Sequence, residues 1–267
     1  MDHVRRCGRS AEIARASTLD GALREVAHEG LSPLSWESLS AAATLVVTPT
    51  GGPIRTIVTG RRHITTGVYA SRKAGRALPY ESMNERAFFM HSEVDTEVVD
   101  YRAQMFRLEF VLGGQKRAYI VDCVRQLANG LVELVEIKND RRALREPDYA
   151  LKLEAVRTIC ERIGWRFRII FKSSLFEPAQ VYRNICDAQS WRFTEYTKAD
   201  VFKVAHRLQG GASMPLAELS EHLGNPAVGA AKLKAMMVGR IVRLDLSRSL
   251  NPNTPVSLLS DPMENQQ

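Results

Sequence analysis

The sequence contains little that is typical of a secreted, membrane-bound or zinc-binding protein. Its four cysteines are far apart and show no C-x2-C or Cys/His spacing, which argues against a disulfide framework and a zinc ribbon. The most apolar early stretch, residues 41–47, is too short to span a bilayer, and no apolar segment of signal-peptide length follows Met1. The six histidines show no metal-ligand spacing either. We therefore expect reduced thiols, a cytoplasmic location and no membrane partner.

The chain also lacks internal repeats and low-complexity tracts, and its charge is only moderately one-sided. Its 267 residues include 37 Lys and Arg against 30 Asp and Glu, a formal charge of +7 with a pI near 9.4. This length fits two modest domains better than one large core. The excess of positive charge suits a polyanionic partner such as DNA but does not by itself establish one.

The periodicity predicts a mixed α/β core in the middle of the chain. We expect a helix starting near Pro79, then strands over about 104–112, 117–124 and 131–138, with hairpin turns at Gly113-Gly114 and Asn129-Gly130. An amphipathic helix should follow Pro147 and end at Gly164, before an alternating strand over 165–171. The order helix, three strands, helix, strand is that of a restriction-endonuclease-like mixed sheet flanked by helices.

Three regions are expected on this basis. Residues 1–50 are Ala- and Ser-rich and are predicted to form an N-terminal extension, and residues 51–175 the nuclease-type domain. In residues 176–267, helices over 216–223 and 227–238 and a possible β-hairpin outline a C-terminal winged-helix-like domain. Its basic residues Lys232, Lys234, Arg240 and Arg243 could contact a DNA backbone, but few side chains there could read bases, so protein docking is an equal alternative.

Charged residues interrupt the apolar strands of the predicted core. Asp122 shares a strand face with Ala118, Ile120 and Val124, and Glu136 and Lys138 share a face of the next strand. A carboxylate on an apolar face needs a cation, a hydrogen-bond network or a metal, and Asp and Glu oxygens are the hard ligands that Mg²⁺ prefers. The spacing D-x13-E-x-K on neighbouring strands is typical of metal-dependent phosphodiesterases. An isolated Glu-x-Lys pair would more simply be a salt bridge, so the prediction depends on Asp122 and the element order.

Five segments extend this pattern along the chain: Gly67–Arg76, Tyr80–Arg86, Val98–Gln104, Tyr119–Asp122 and Val135–Lys138. Together they resemble TnsA-type transposon endonucleases, which have a PD-(D/E)xK core, and the resemblance covers roughly residues 55–140. One departure is Val121-Asp122-Cys123 in place of the usual P-D-F-like element, which only loosens the turn before Asp122. The resemblance implies catalytic roles for Glu85, Asp122, Glu136 and Lys138, with Glu85, Asp122 and Glu136 binding the metal. Glu81, one helical turn before Glu85, is the alternative helix acid.

The resemblance also implies a cofactor and partners. Mg²⁺, with Mn²⁺ as a substitute, would support cleavage of double-stranded DNA at transposon ends, in a bacterial complex with an integrase-type transposase and an ATPase regulator. Arg72, Lys73, Arg76 and Gln104 are the candidate DNA contacts. Two alternatives are a phage or defence nuclease with the same core, and a DNA-binding regulator with an inactive nuclease scaffold.

Overall fold

The computed structural model describes Leu19 and residues 43–48, 52–54 and 65–259. Most of the expected extension over residues 1–50 lies outside these described residues. The helices and strands, in chain order, are β1 (Ala43–Val47), β2 (Gly67–Ser71), β3 (Arg76–Tyr80), α1 (Met83–Val94), β4 (Val98–Ala103), β5 (Phe106–Leu112), β6 (Gln115–Ile120), β7 (Cys123–Leu127), β8 (Val132–Lys138), α2 (Pro147–Arg162), β9 (Arg166–Phe171), α3 (Lys172–Phe176), α4 (Ala179–Ser190), α5 (Lys198–Arg207), β10 (Ser213–Pro215), α6 (Leu216–Glu221), α7 (Pro226–Val238), β11 (Val242–Leu244) and β12 (Pro255–Leu258).

The chain divides into two compact units, each built from separated segments. Unit 1 comprises residues 1–56, 102–136 and 142–169, and unit 2 comprises residues 57–101, 137–141 and 170–267. The mixed α/β architecture agrees with the restriction-endonuclease-like fold class expected from the sequence. The domain boundaries at residues 50 and 175 stay a prediction.

Unit 1 contains a three-stranded antiparallel sheet in the order β1-β5-β6. Gly113 and Gly114 form the β5–β6 turn with φ angles of 59° and 75°, a conformation that glycine adopts at little steric cost, so the predicted hairpin is confirmed. The pairing of β1 with β5 places Ala43–Val47 in this sheet. This part of the chain is therefore a strand of the fold, although the sequence places it in the extension.

A second sheet has the order β4-β7-β8-β9, and its central strands β7 and β8 pair antiparallel within unit 1. The strand expected over 117–124 is wrong, because β6 ends at Ile120 and β7 starts at Cys123 in a different sheet. Apolar alternation continues through this break, which is why the sequence shows one strand. The strand expected to start at Gln104 begins instead at Phe106.

The core of unit 1 lies between these strands and α2. Its buried residues include Phe106, Leu134, Val156, Trp165 and Phe167. The predicted helix after Pro147 is confirmed, with Glu146 accepting bonds from the first-turn N–H groups and Gly164 in a left-handed conformation after its end. Burial along β9 alternates between exposed Arg166 and buried Phe167, as the sequence pattern predicts.

Unit 2 holds the β2–β3 hairpin, α1 and the C-terminal elements. The helix expected from Pro79 starts later, because Pro79 pairs with Val68 in β3 and Ser82 caps α1. Helix α1 is buried over most of its length and packs against β2, β3, α3, α4 and α7. The C-terminal elements run α5, β10, α6, α7, β11, β12, with strand order β10-β12-β11. The two expected helices and the pairing of the two expected strands are present, and the winged-helix assignment remains a prediction.

Candidate active site

Asp122 and Glu136 lie together at one end of the β7–β8 ladder. The terminal paired residues are Cys123 and Val135, and Asp122 and Glu136 are the next residue on each chain in that antiparallel register. Asp122 is half-buried in the bend between β6 and β7, and Glu136 is 3% exposed within β8. Two acidic residues with 13 residues between them are thus brought to the same end of two paired strands.

Both carboxylate oxygens of Glu136 accept hydrogen bonds from tyrosines. The Tyr119 hydroxyl, on β6, donates to Oε2 at 2.6 Å, and the Tyr149 hydroxyl, on α2, donates to Oε1. Tyrosine is a neutral donor, so these bonds fix the carboxylate without cancelling its charge. Glu136 is therefore held from the β6 sheet and from α2.

The pKa of Tyr119 responds to both carboxylates at this end of the strands. Burial raises its pKa well above the ordinary tyrosine value, and the neighbouring Glu136 and Asp122 carboxylates raise it further. The ring meets Phe167 edge-on, with centroids 6.2 Å apart. Tyr119 therefore stays a protonated donor at neutral pH, and the two carboxylates act on the same hydroxyl.

Lys138 and Glu85 belong to unit 2. Lys138 is two residues beyond Glu136 on β8, so the two side chains project from the same face of that strand. The side chains of Asn84 and Asn139 are hydrogen-bonded at 2.7 Å, which joins the first turn of α1 to the end of β8. Each asparagine is the immediate neighbour of a predicted catalytic residue, Glu85 or Lys138.

Glu85 also belongs to the N-terminal cap of α1. Ser82 is the N-cap and its Oγ accepts the Glu85 N–H at 3.1 Å. The Glu85 carboxylate accepts the Ser82 hydroxyl at 3.0 Å and the Glu81 N–H at 2.9 Å. Ser-x-x-Glu is the sequence pattern of a capping box. Glu85, rather than Glu81, is the buried acid of this turn.

The candidate DNA contacts Arg72 and Lys73 bind main-chain carbonyls within unit 2. Arg72 donates to the carbonyls of Arg192 at 2.8 Å and Thr194 at 3.2 Å, and its guanidinium lies 4.7 Å from the Tyr196 ring centroid. Lys73 donates to the carbonyls of Ser92 and Asp95 at the C-terminal end of α1. A cation at this position interacts favourably with the helix dipole. These contacts give both residues a structural role, and DNA contact stays a prediction.

Gln104 and Arg76 have different surroundings. Gln104 is 1% exposed and has a φ of 45°, and its N–H donates to the Asp122 carbonyl at 3.2 Å. This bond ties the β4–β5 bend to the chain at Asp122, a structural contribution that needs no exposed side chain. Arg76 begins β3 opposite Ser71 and is half-buried. Their predicted DNA contacts also stay predictions.

The four basic residues predicted as DNA backbone contacts in the C-terminal region each have an intramolecular partner. Lys232 donates to Asp200 at 3.0 Å and Lys234 to Asp187 at 2.7 Å. Arg240 donates to the Thr96 carbonyl at 2.8 Å, and Arg243 to Glu97 at 2.9 Å. Seven residues of α7 are buried, so this helix is a core element of unit 2. Whether this region contacts DNA or docks a protein stays a prediction.

The donor set suits Mg²⁺ in its chemistry. Asp122 and Glu136 supply carboxylate oxygens, and Mg²⁺ in phosphoryl-transfer sites is bound by one or two carboxylates plus water and substrate phosphate oxygens. Across residues 43–48, 52–54 and 65–259, no group of three or more His, Cys, Asp or Glu side chains is arranged to hold a metal. Asp122 and Glu136 would supply two carboxylates to such a site, and the ligand role of Glu85 stays a prediction.

One known protein family matches the part of the chain that contains Asp122 and Glu136. Residues 95–172 match the family model described as TnsA-like endonuclease N terminal. Over this segment the chain is similar to TnsA-like endonucleases. The match covers less than a third of the chain and includes Asp122, Glu136 and Lys138. Glu85, Arg72 and Lys73 lie outside it, so their roles rest on the sequence resemblance alone. No curated protein matches the chain.

The TnsA-like segment also contains both tyrosines that bind Glu136. The sequence places Tyr119 in a strand and counts Tyr149 among the apolar positions of α2, without a site role for either. The signal in the sequence was that a buried tyrosine hydroxyl needs a polar partner, but the sequence alone does not say which group that partner is. Among the helices of the described chain, none has the length and apolar character to cross a membrane.

Proposed function

We propose that the chain is a Mg²⁺-dependent endodeoxyribonuclease subunit of a heteromeric transposase, which hydrolyses phosphodiester bonds of double-stranded DNA at transposon ends. The observation that carries this proposal is the placement of Asp122 beside Glu136 at the end of the β7–β8 ladder, within the TnsA-like segment. Lys138 on the Glu136 face of β8 supplies the cation that the chemistry requires.

Each residue has a definite role in the proposed reaction. Asp122 and Glu136 would hold Mg²⁺, with Mn²⁺ as a substitute, and the ion would supply charge neutralisation at the phosphate and a more acidic water. Lys138 would orient the attacking water or stabilise the negative charge that develops on the phosphate oxygens. Glu85 would complete the set from the first turn of α1.

Target choice is proposed to come from partners. A protein that reads its own site needs Arg, Asn or Gln groups aimed at base edges. The basic residues near α7 are instead paired within unit 2. We therefore assign end recognition to an integrase-type transposase, with an ATPase regulator, and a docking role to the C-terminal region. The same pairing weighs against a regulator that binds DNA through α7.

The test compares Asp122→Asn with Glu109→Gln in a cleavage assay on DNA that carries transposon ends, with Mg²⁺ and an integrase-type transposase as the proposed partner. Asp122→Asn should abolish cleavage and retain the wild-type fold by circular dichroism. Glu109 is an ion-paired acid on β5 with a 44% exposed side chain, so its variant should cut normally. Lys138→Ala should slow cleavage and leave calorimetric Mn²⁺ binding intact.

Two results would count against the proposal. Normal cleavage by Asp122→Asn would remove Asp122 from the site. Cutting of one defined sequence by the chain alone at physiological salt would instead indicate a restriction-like or defence nuclease.

A further inference from the structure

Two tyrosine hydroxyls from different secondary-structure elements donate hydrogen bonds to the carboxylate of Glu136. Neither tyrosine has a part in the reaction described above. Tyr119 projects from β6 and Tyr149 from the first turn of α2. Each donates to a different oxygen of the same carboxylate, Tyr119 at 2.6 Å. The rotation of the carboxylate about its terminal bond is thereby fixed by two donors.

We propose that Tyr119 and Tyr149 are positioning residues that orient Glu136 as a ligand for a divalent cation. This inference rests on the proposed function. It adds two residues that set the affinity of the site for the metal and do not themselves touch it.

The chemistry of the donor explains why tyrosine suits this position. A carboxylate has about four acceptor positions on its two oxygens, so one hydrogen bond to each leaves each oxygen able to bind a cation. An arginine or lysine would add a positive charge beside the ligand, whereas a phenol O–H adds none. The two phenol donors therefore hold the geometry of Glu136 without adding a positive charge of their own.

The surroundings show that both hydroxyls are firmly placed. Tyr119 is 3% exposed and packs edge-on against Phe167 in the core of unit 1. Tyr149 follows Glu146, whose carboxylate accepts the Tyr149 N–H at 2.6 Å and fixes the start of α2. Rigid partners of this kind reduce the reorganisation that metal binding would require.

The opposite face of β8 provides a contrast. Glu133 is also buried on this strand, but it is paired with the guanidinium of Arg125, with Arg168 at 3.3 Å and Arg166 at 3.8 Å. Three cations around one carboxylate leave no net negative charge for a metal. Two glutamates on one strand thus have different partners: arginines surround Glu133, whereas two tyrosine hydroxyls donate to Glu136.

The test measures the affinity of the full-length chain for Mn²⁺ and Mg²⁺ by calorimetry in wild type, Tyr149→Phe and Tyr119→Phe. Loss of outer-shell partners typically weakens metal affinity by about 10–100-fold, and we expect a decrease of that size in each variant. The matched control is Tyr101→Phe, because the Tyr101 hydroxyl donates to the buried carboxylate of Glu93 in unit 2 at 2.6 Å. Its metal affinity should equal that of wild type.

A second measurement separates positioning from folding. Raising the Mg²⁺ concentration should restore the cleavage rate of Tyr149→Phe, since a weakened ligand is compensated by mass action and a damaged fold is not. Tyr149 is half-buried near the surface end of α2, so its variant decides the question even where Tyr119→Phe does not fold.

The outcomes are distinguishable. Wild-type affinity in Tyr149→Phe, together with loss of binding in Asp122→Asn, would overturn the positioning role and leave the nuclease proposal standing. An equal loss in Tyr101→Phe would show that the tyrosines act through general stability and would also overturn the inference. No Mn²⁺ binding by wild type, with normal cleavage by Asp122→Asn, would overturn the proposed function itself.

Discussion

Glu85 has two possible roles, and a set of four substitutions separates them. It is the predicted catalytic acid of α1 and also the acceptor for the Ser82 hydroxyl and the Glu81 N–H at the start of that helix. Glutamine has the same length and still accepts these bonds, and it occurs at this position of a capping box. Glu85→Gln therefore removes the charge and retains the cap, whereas Glu85→Ala removes both.

The stability effects follow from these contacts. Loss of a negative charge in the first helical turn costs roughly 0.3–1 kcal/mol, so Glu85→Gln should lower the free energy of unfolding by no more than about 1 kcal/mol. Glu85→Ala also leaves two partly buried donors without their acceptor, which costs roughly 1–3 kcal/mol. For a chain of this size, 1 kcal/mol corresponds to about 2–4 °C in Tm. The alanine variant should therefore melt several degrees below the glutamine variant.

A cleavage assay then distinguishes a catalytic role of Glu85 from a capping role. If Glu85 acts in the reaction, both Glu85 variants should be inactive in a nicking assay, despite the near-normal melting of Glu85→Gln. Ser82→Ala removes the N-cap at a cost of about 1 kcal/mol but keeps the carboxylate, so it should still cut DNA. Glu81→Gln should cut as well.

Two results would refute this reasoning. Wild-type cleavage by Glu85→Gln would make Glu85 a capping residue only. Loss of cleavage in Glu81→Gln, with activity retained in Glu85→Gln, would move the catalytic acid by one helical turn.

Two further predictions concern the C-terminal region and DNA binding. Removal of residues 177–267 deletes α4 and α7, which pack against α1, so the truncated chain should aggregate or lose helix content by circular dichroism. A monodisperse, folded fragment would show that residues 1–176 fold without the C-terminal region. Binding of the intact chain to bare DNA should be weak, nearly indifferent to sequence and steeply salt-dependent in a fluorescence titration, because any contacts would be to phosphates; tight, sequence-specific binding at physiological salt would contradict this.

The hairpins and the α2–β9 segment could be predicted because their signals are local. Gly113, Gly114 and Gly130 all have positive φ, the conformation for which glycine is selected at these turns. Alternation in β9 and the helical spacing before Gly164 likewise depend on neighbours within a few residues.

The break at Val121-Asp122 could not be predicted in the same way. Val121 is fully buried on one side of the break and Cys123 on the other, so hydrophobicity gives no sign that β6 and β7 enter different sheets. The bonds that shape this point come from distant residues, such as the Gln104 N–H on the Asp122 carbonyl. The register of β7 and β8 nevertheless makes Asp122 and Glu136 the next residues after the last paired positions, Cys123 and Val135.

The positive charge of the C-terminal region shows a further limit of sequence reasoning. Lys232, Lys234 and Arg240 suggested a phosphate-binding surface, since a cation without a visible partner is counted as available. Their partners Asp200, Asp187 and Thr96 lie 32, 47 and 144 residues away along the chain. Such pairings are set by tertiary structure, so no local window contains them. The formal charge of +7 therefore does not tell how many cations DNA could meet, because Lys232, Lys234 and Arg240 already have partners within the chain.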